Sequence, residues 1–263
     1  MDNGNISLMP CSSLSPSPSA SQAMSEPAPN LELLGSLGRL ARGLSALFWG
    51  LPLALVVCVQ TAKGDWFDKF AELPRSSTMQ FLFGILPSLS VTALIFYGLE
   101  LLGHFQKQER VWRLALDRAK VFSLINIGFS PFLFWWNRMP SQPFYNSVVE
   151  LMMLSSLLFL FALNPVLWRL AAMLPDETLR FETKLFTAIN RYLILFTLLV
   201  LGAYFVLARV QQLPPFLINL FSSLEQTGLW LGLILVLLPV AMTMALVWKI
   251  KEVILASVFG PGH

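Results

Sequence analysis

Long apolar runs alternate with short polar segments along the chain, and the runs are too long to be strands. Six of them lie near residues 44–62, 80–99, 121–136, 148–167, 192–208 and 227–248, and Glu150 is the single charged side chain they contain. In lipid a helix satisfies its own backbone groups, so apolar stretches of about 18 residues or more are read as transmembrane helices. The third run is shorter and is interrupted by Gly128 and Pro131. The pattern predicts an all-α, polytopic helical membrane protein with about six transmembrane helices.

The polar segments carry a periodicity of their own. Leu34, Leu37, Ala41, Leu44 and Phe48 recur at helical spacing with Arg39 and Arg42 off the stripe, which predicts an amphipathic surface helix over 31–43. In the connection from His104 to Lys120, Phe105, Trp112, Leu116 and Ala119 share one face, and Lys107, Arg110, Asp117 and Lys120 the other. From Asp176 to Arg191 the same division sets Leu179, Phe186 and Ile189 against Glu177, Arg180, Lys184 and Arg191. Both connections read as amphipathic cytoplasmic helices, either lying on the membrane or extending the spans that follow. Residues 1–30 differ from all of this. Five prolines and eight serines make a tail that cannot bury enough surface to order itself. Residues 253–263 form a short C-terminal segment.

Charge orients the six-span arrangement. With the N-terminus inside, the cytoplasmic segments hold Arg39, Arg42, Lys107, Arg110, Arg113, Arg118, Lys120, Arg169, Arg180, Lys184, Arg191, Lys249 and Lys251, thirteen of the 18 basic residues. The other side holds Lys63, Lys69, Arg75, Arg138 and Arg209. The positive-inside bias therefore places both termini in the cytoplasm. Trp49, Trp168 and Trp248 fall at the inner boundary of this arrangement, and Trp66, Trp135, Trp136 and Trp230 at the outer one, as interfacial belts require. Compact connections, and a start without the basic-then-apolar order of a signal peptide, fit a cytoplasmic (inner) membrane.

Composition excludes several classes. Hydrophobic residues make up 56% of the chain and charged residues 13%, too few to cover a soluble domain. A net charge of +3, spread over short loops, is not the basic stripe of a nucleic-acid binder. Two histidines and two cysteines lie apart, with no metal-ligand spacing. No cofactor is implied. Gly128-Phe129-Ser130-Pro131 lacks the second glycine of a nucleophile elbow and a histidine to activate the serine, so Ser130 reads as a backbone partner beside proline.

Three intramembrane polar positions remain as candidates: Asn126, Glu150 and Asn164. Ionisable groups in lipid are costly and functional by default. Glu150 is read either as half of a structural ion pair with Arg138 or as a substrate or proton site. Each asparagine can bridge helices or line a cavity. Lys107, Arg110 and Lys184 are the candidate cytoplasmic contact residues. Two heptapeptides, Lys120 to Asn126 and Lys184 to Asn190, match as lysine, apolar, Phe, Ser/Thr, apolar, Ile, Asn, which is too short a match to establish a repeat. Function is read first as a non-catalytic membrane subunit or scaffold, surrounded by the lipid bilayer and open to membrane or cytoplasmic protein partners. A permease or transporter half comes second and a membrane enzyme third. The topology is testable with reporter fusions. Fusions after Arg118 and Lys184 should report cytoplasm and those near Gln142 and Gln212 the opposite side; Gln142 and Lys184 on one side would break the six-span arrangement.

Overall fold

A charge-free stretch of leucine, phenylalanine and valine in lipid has one way to satisfy its backbone, and each of the six runs takes it. The structure, a computed structural model, describes residues 31–63, 77–105, 109–139, 141–174, 177–209 and 215–259. Six helices make up these residues: α1 (Leu31–Lys63), α2 (Ser77–Gly103), α3 (Arg110–Arg138), α4 (Pro143–Ala172), α5 (Glu177–Arg209) and α6 (Pro215–Phe259). The Ser/Pro-rich tail, the connection with Trp66, Lys107 and the chain from residue 260 lie outside the described residues, as does the side chain of Trp230.

Among the described residues five helices are long and apolar enough to cross a membrane, and the protein is a polytopic helical membrane protein. Apolarity is where α3 falls short of the others. Its 29 residues include Ser123, Asn126 and Ser130 within the expected span, and the helix closes on Trp135-Trp136-Asn137-Arg138. It nevertheless accompanies its neighbours along their length. Lys120 pairs with Glu100 of α2 at one end (2.6 Å), and the Phe132 ring meets Phe144 of α4 towards the other.

One expected boundary is absent. The surface helix predicted over 31–43 is continuous with the first span, because Leu40, Leu44 and Leu47 are all fully buried on one uninterrupted stripe of α1. The amphipathic connections likewise run unbroken into α3 and α5, which is the second of the two arrangements expected for them.

Neighbours in sequence are neighbours in space, and α6 returns to pack on α1. Contacts of α1 with α3 and of α4 with α6 divide this ring into two three-helix groups, joined along α3–α4 and α1–α6. Successive helices run antiparallel: along α5, Glu182, Asn190 and Thr197 meet Lys249, Thr243 and Leu235, in descending order on α6. The connections α2–α3 and α4–α5, the start of α1 and the finish of α6 therefore share one end, which carries the ion pairs Glu100–Lys120 and Glu182–Lys249. We call it the charged end. The apolar core is concentrated towards it, around Leu44, Leu102, Trp112, Leu170 and Ile250.

Helices in lipid gain little by hiding leucine from leucine, so close approach and hydrogen bonds must hold them. Between α1 and α2 the close approach comes from glycine. A Cβ on Gly98 would lie 3.0 Å from the Gly43 carbonyl oxygen and 3.2 Å from Leu47, while one on Gly43 would lie 2.9 Å from the Gly98 carbonyl oxygen. Gly128 has nothing within 4 Å of the same position. Gly98→Ala should therefore destabilise the protein by about 1–3 kcal/mol through overpacking against backbone. Gly128→Ala, in an open helix interior, should be neutral or stabilising by up to about 1 kcal/mol. Thermal unfolding of the two variants in detergent checks this, and equal midpoints would contradict the contact.

Candidate functional site

The buried faces of the helices follow a rule that the outward faces reverse. On α3 the buried residues other than Phe134 are Trp112, Leu116, Ala119, Ser123, Asn126, Ser130 and Leu133, spaced four and three apart. On α5 they are Thr183, Thr187, Asn190, Ile194 and Thr197, at the same spacing. This is the heptad seam of helices that coil left-handedly. In the membrane portion its members are largely hydroxyls and amides. Outside it, Tyr192, Leu199 and Val206 of α5 are each about two-thirds or more exposed, which is the face a lipid-embedded helix presents.

Most of the hydroxyls bond within their own helix. Thr92, Ser156, Thr187, Thr197 and Thr243 each donate to the carbonyl four residues earlier, at 2.7–2.8 Å. Others repair proline interruptions. Pro131 lacks the N–H that the Ile127 carbonyl would accept, and Ser130 Oγ donates to that carbonyl at 2.9 Å, the backbone role expected of it. Pro239 does the same to the Leu235 carbonyl, and here the nearby hydroxyl comes from another helix: Thr197 Oγ1 of α5 lies 3.3 Å away, its single proton shared with the nearer Leu193 carbonyl.

Amides cannot close on their own helix so readily, and they form the cross-helix part of the seam. Asn190 Nδ2 on α5 donates to Asn164 Oδ1 on α4 (3.1 Å) and to Thr243 Oγ1 on α6 (3.0 Å). Asn164 and Asn190 are each 2% exposed and Thr243 is fully buried. Asn164 Nδ2 and Asn190 Oδ1, both buried, have no partner of their own. A separate contact joins α3 to α4, where Asn126 Oδ1 accepts from Ser156 Oγ at 3.4 Å. Ser156 and Asn164 are eight residues apart on α4, so the two contacts are about 12 Å apart along its axis.

The candidate residues separate accordingly. Asn126 and Asn164 are bridging residues, on different interfaces. Glu150 is half-buried about two turns into α4, and the Arg138 guanidinium lies over the Phe134 ring, 5.3 Å from its centroid. Arg110 is exposed at the start of α3, where it lines a shallow groove with Arg113, Leu114 and Asp117. Lys184 is exposed on α5, and Lys107 lies outside the described residues. Among the described residues the structure therefore collects no site that combines the candidates. Among the described residues no group of three or more His, Cys, Asp or Glu could hold a metal ion.

Asn190 and Thr243 are the residues that a search for charge overlooks. Asn190 stands in the second heptapeptide only as its last letter. The legible signal is the stripe of Thr183, Thr187, Asn190 and Thr197, polar at heptad spacing on an otherwise apolar helix. The two heptapeptides also share their burial: Ser123 and Thr187, and Asn126 and Asn190, face inward, while Val121, Leu185, Ile125 and Ile189 face outward.

Comparison with protein-family models, curated proteins and solved structures finds no match.

The cross-helix bonds rank the asparagines. An interhelical side-chain hydrogen bond in a membrane contributes about 0.6 kcal/mol on average and up to about 1.7. Asn190→Leu, which loses two bonds and strands their acceptors, should lower unfolding free energy by about 1–2 kcal/mol. Asn126→Leu, losing one long bond whose donor Ser156 keeps the Met152 carbonyl, should lose about 0.5 kcal/mol. Unfolding in mixed detergent measures both, and the reverse order would contradict the assignment.

Proposed function

We propose that the protein is a non-catalytic membrane subunit or scaffold, whose six helices form an embedded platform and whose charged end docks partners. One observation carries this reading: among the described residues the buried polar side chains are serine, threonine and asparagine, and every charged side chain is at least partly exposed. Carriers coupled to protons or cations place ionisable groups inside the bundle, facing a pathway. Here the interior is neutral, with most of its hydroxyls turned onto the backbone. Charge gathers instead on the extensions of α3 and α5, where Arg110, Arg113 and Lys184 are exposed beside Val111, Leu114, Phe181 and Leu185. Basic residues beside exposed apolar ones suit an acidic partner surface or anionic lipid headgroups.

The count of basic residues supports placing the charged end, with both termini, in the cytoplasm, and the membrane in this reading is the cytoplasmic one. The second reading, a permease or transporter half, draws on Pro165 and Pro239 and on the unpartnered amide atoms beside them.

Charge reversal separates the readings. In a strain with a measurable deletion phenotype, Lys107→Glu, Arg110→Glu and Lys184→Glu combined should abolish function and strip co-purifying protein or anionic lipid. Glu150→Gln, expressed to the same level, should stay near wild type. An inactive but well-folded Glu150→Gln variant, with the triple reversal mild, would replace the scaffold with the transporter.

A further inference from the structure

Three helices meet at the amide pair, and its hydrogen bonding does not close. Asn190 spends its Nδ2 on Asn164 Oδ1 and Thr243 Oγ1, and Thr243 in turn donates to the Pro239 carbonyl at 2.7 Å. What remains is one amide donor, Asn164 Nδ2, and one amide acceptor, Asn190 Oδ1, both buried. Turning the amides does not remove the problem. If Asn164 alone turns, two NH2 groups face each other; if Asn190 alone turns, two carbonyl oxygens do. If both turn, a single bond runs the other way and again leaves one NH2 and one C=O. Thr243 would then have to leave the Pro239 carbonyl to serve Asn190. Every arrangement thus needs a third party that accepts from one amide and donates to the other.

We propose that Asn164, Asn190 and Thr243 bind one small neutral hydroxylic molecule, either water or a small alcohol, at the junction of α4, α5 and α6. The chemistry of the free atoms selects this class. A cation would satisfy the Asn190 oxygen but be repelled by the Asn164 amide, and an anion would meet the converse. Neither would find a counter-charge, since the buried polar set is neutral among the described residues. A hydroxyl group accepts and donates at once. Pro165, adjacent to Asn164, adds a further acceptor: its ring lacks the N–H that the Phe161 carbonyl would otherwise receive. Buried waters typically make about three hydrogen bonds to otherwise unsatisfied groups, which matches an amide donor, an amide acceptor and a carbonyl, whereas an alcohol, with a single O–H, would serve the two amides alone. This site lies inside the bundle and is independent of the docking role proposed for the charged end.

Water-edited solid-state NMR of the full chain, labelled with 15N-asparagine and reconstituted in bilayers, tests the proposal. The Asn164 side-chain signal is identified by its loss in Asn164→Ser, or in Asn164→Asp if the first variant fails to insert. In a preparation free of added alcohols, magnetisation from water should reach the Asn164 NH2 several-fold faster than it reaches backbone amides of the apolar core, and nearly as fast as the exposed Asn146 side chain. Fast transfer from water identifies water as the ligand. Slow transfer from water, together with fast transfer from glycerol protons in a glycerol-containing preparation, identifies a small alcohol. Slow transfer from both means that the amide pair is dry, and overturns the proposal.

Discussion

Everything in this bundle follows from the fact that lipid, unlike water, does not push apolar side chains together. A soluble helix pair associates because leucine leaves water. For α5 and α6 the outside is as apolar as the inside, so burial of leucine contributes little beyond close packing. What lipid does penalise is an unpaired polar group. The sequence places its hydroxyls and amides at heptad spacing, and the helices turn those positions toward one another. Thr197 and the Leu235 carbonyl, Asn190 and Thr243, and Asn126 and Ser156 are consequences of that single constraint. The glycine contact between α1 and α2 is its complement, replacing hydrogen bonds with closeness where few polar side chains are available.

The constraint also explains which parts of the structure were legible beforehand. Helix number and class follow from run length, since a charge-free run of leucine and phenylalanine admits no other backbone. Where a helix begins is a different question. Amphipathic patterning at 31–43 and 177–191 says that one face is polar, and it says the same of a helix lying on a membrane and of one extending a span. Packing decides between them: Leu40 and Thr183 are fully buried because neighbouring helices cover them, and no periodicity contains that information.

The site is less legible in the sequence, for a related reason. Asn164 stands out as an amide in an apolar run. Its partner Asn190 follows 26 positions later and Thr243, which also accepts from Asn190, another 53 after that; only the folded chain brings each within 3.1 Å of the Asn190 amide. Rarity draws attention to charge, whereas this bundle is held by ordinary threonines and serines. Their signal is a stripe, visible when α5 is read as a helical surface and lost when it is read one residue at a time. Glu150, the lone charge within the runs, is conspicuous in the sequence and stands apart from the amide junction in the fold.

The polar stripe on α5 has a consequence for how the protein is made. A helix entering the bilayer by itself would turn Asn190 and Thr197, at the membrane end of that stripe, toward acyl chains. Asn164 is already in place on α4 when α5 is synthesised, but Thr243 and the Leu235 carbonyl belong to α6, which follows it. Until α6 emerges, α5 is half-partnered and is poorly suited to leave the insertion machinery for open lipid. The two helices are better understood as a single insertion unit, a hairpin released into the bilayer together, with α4 as the surface that receives it.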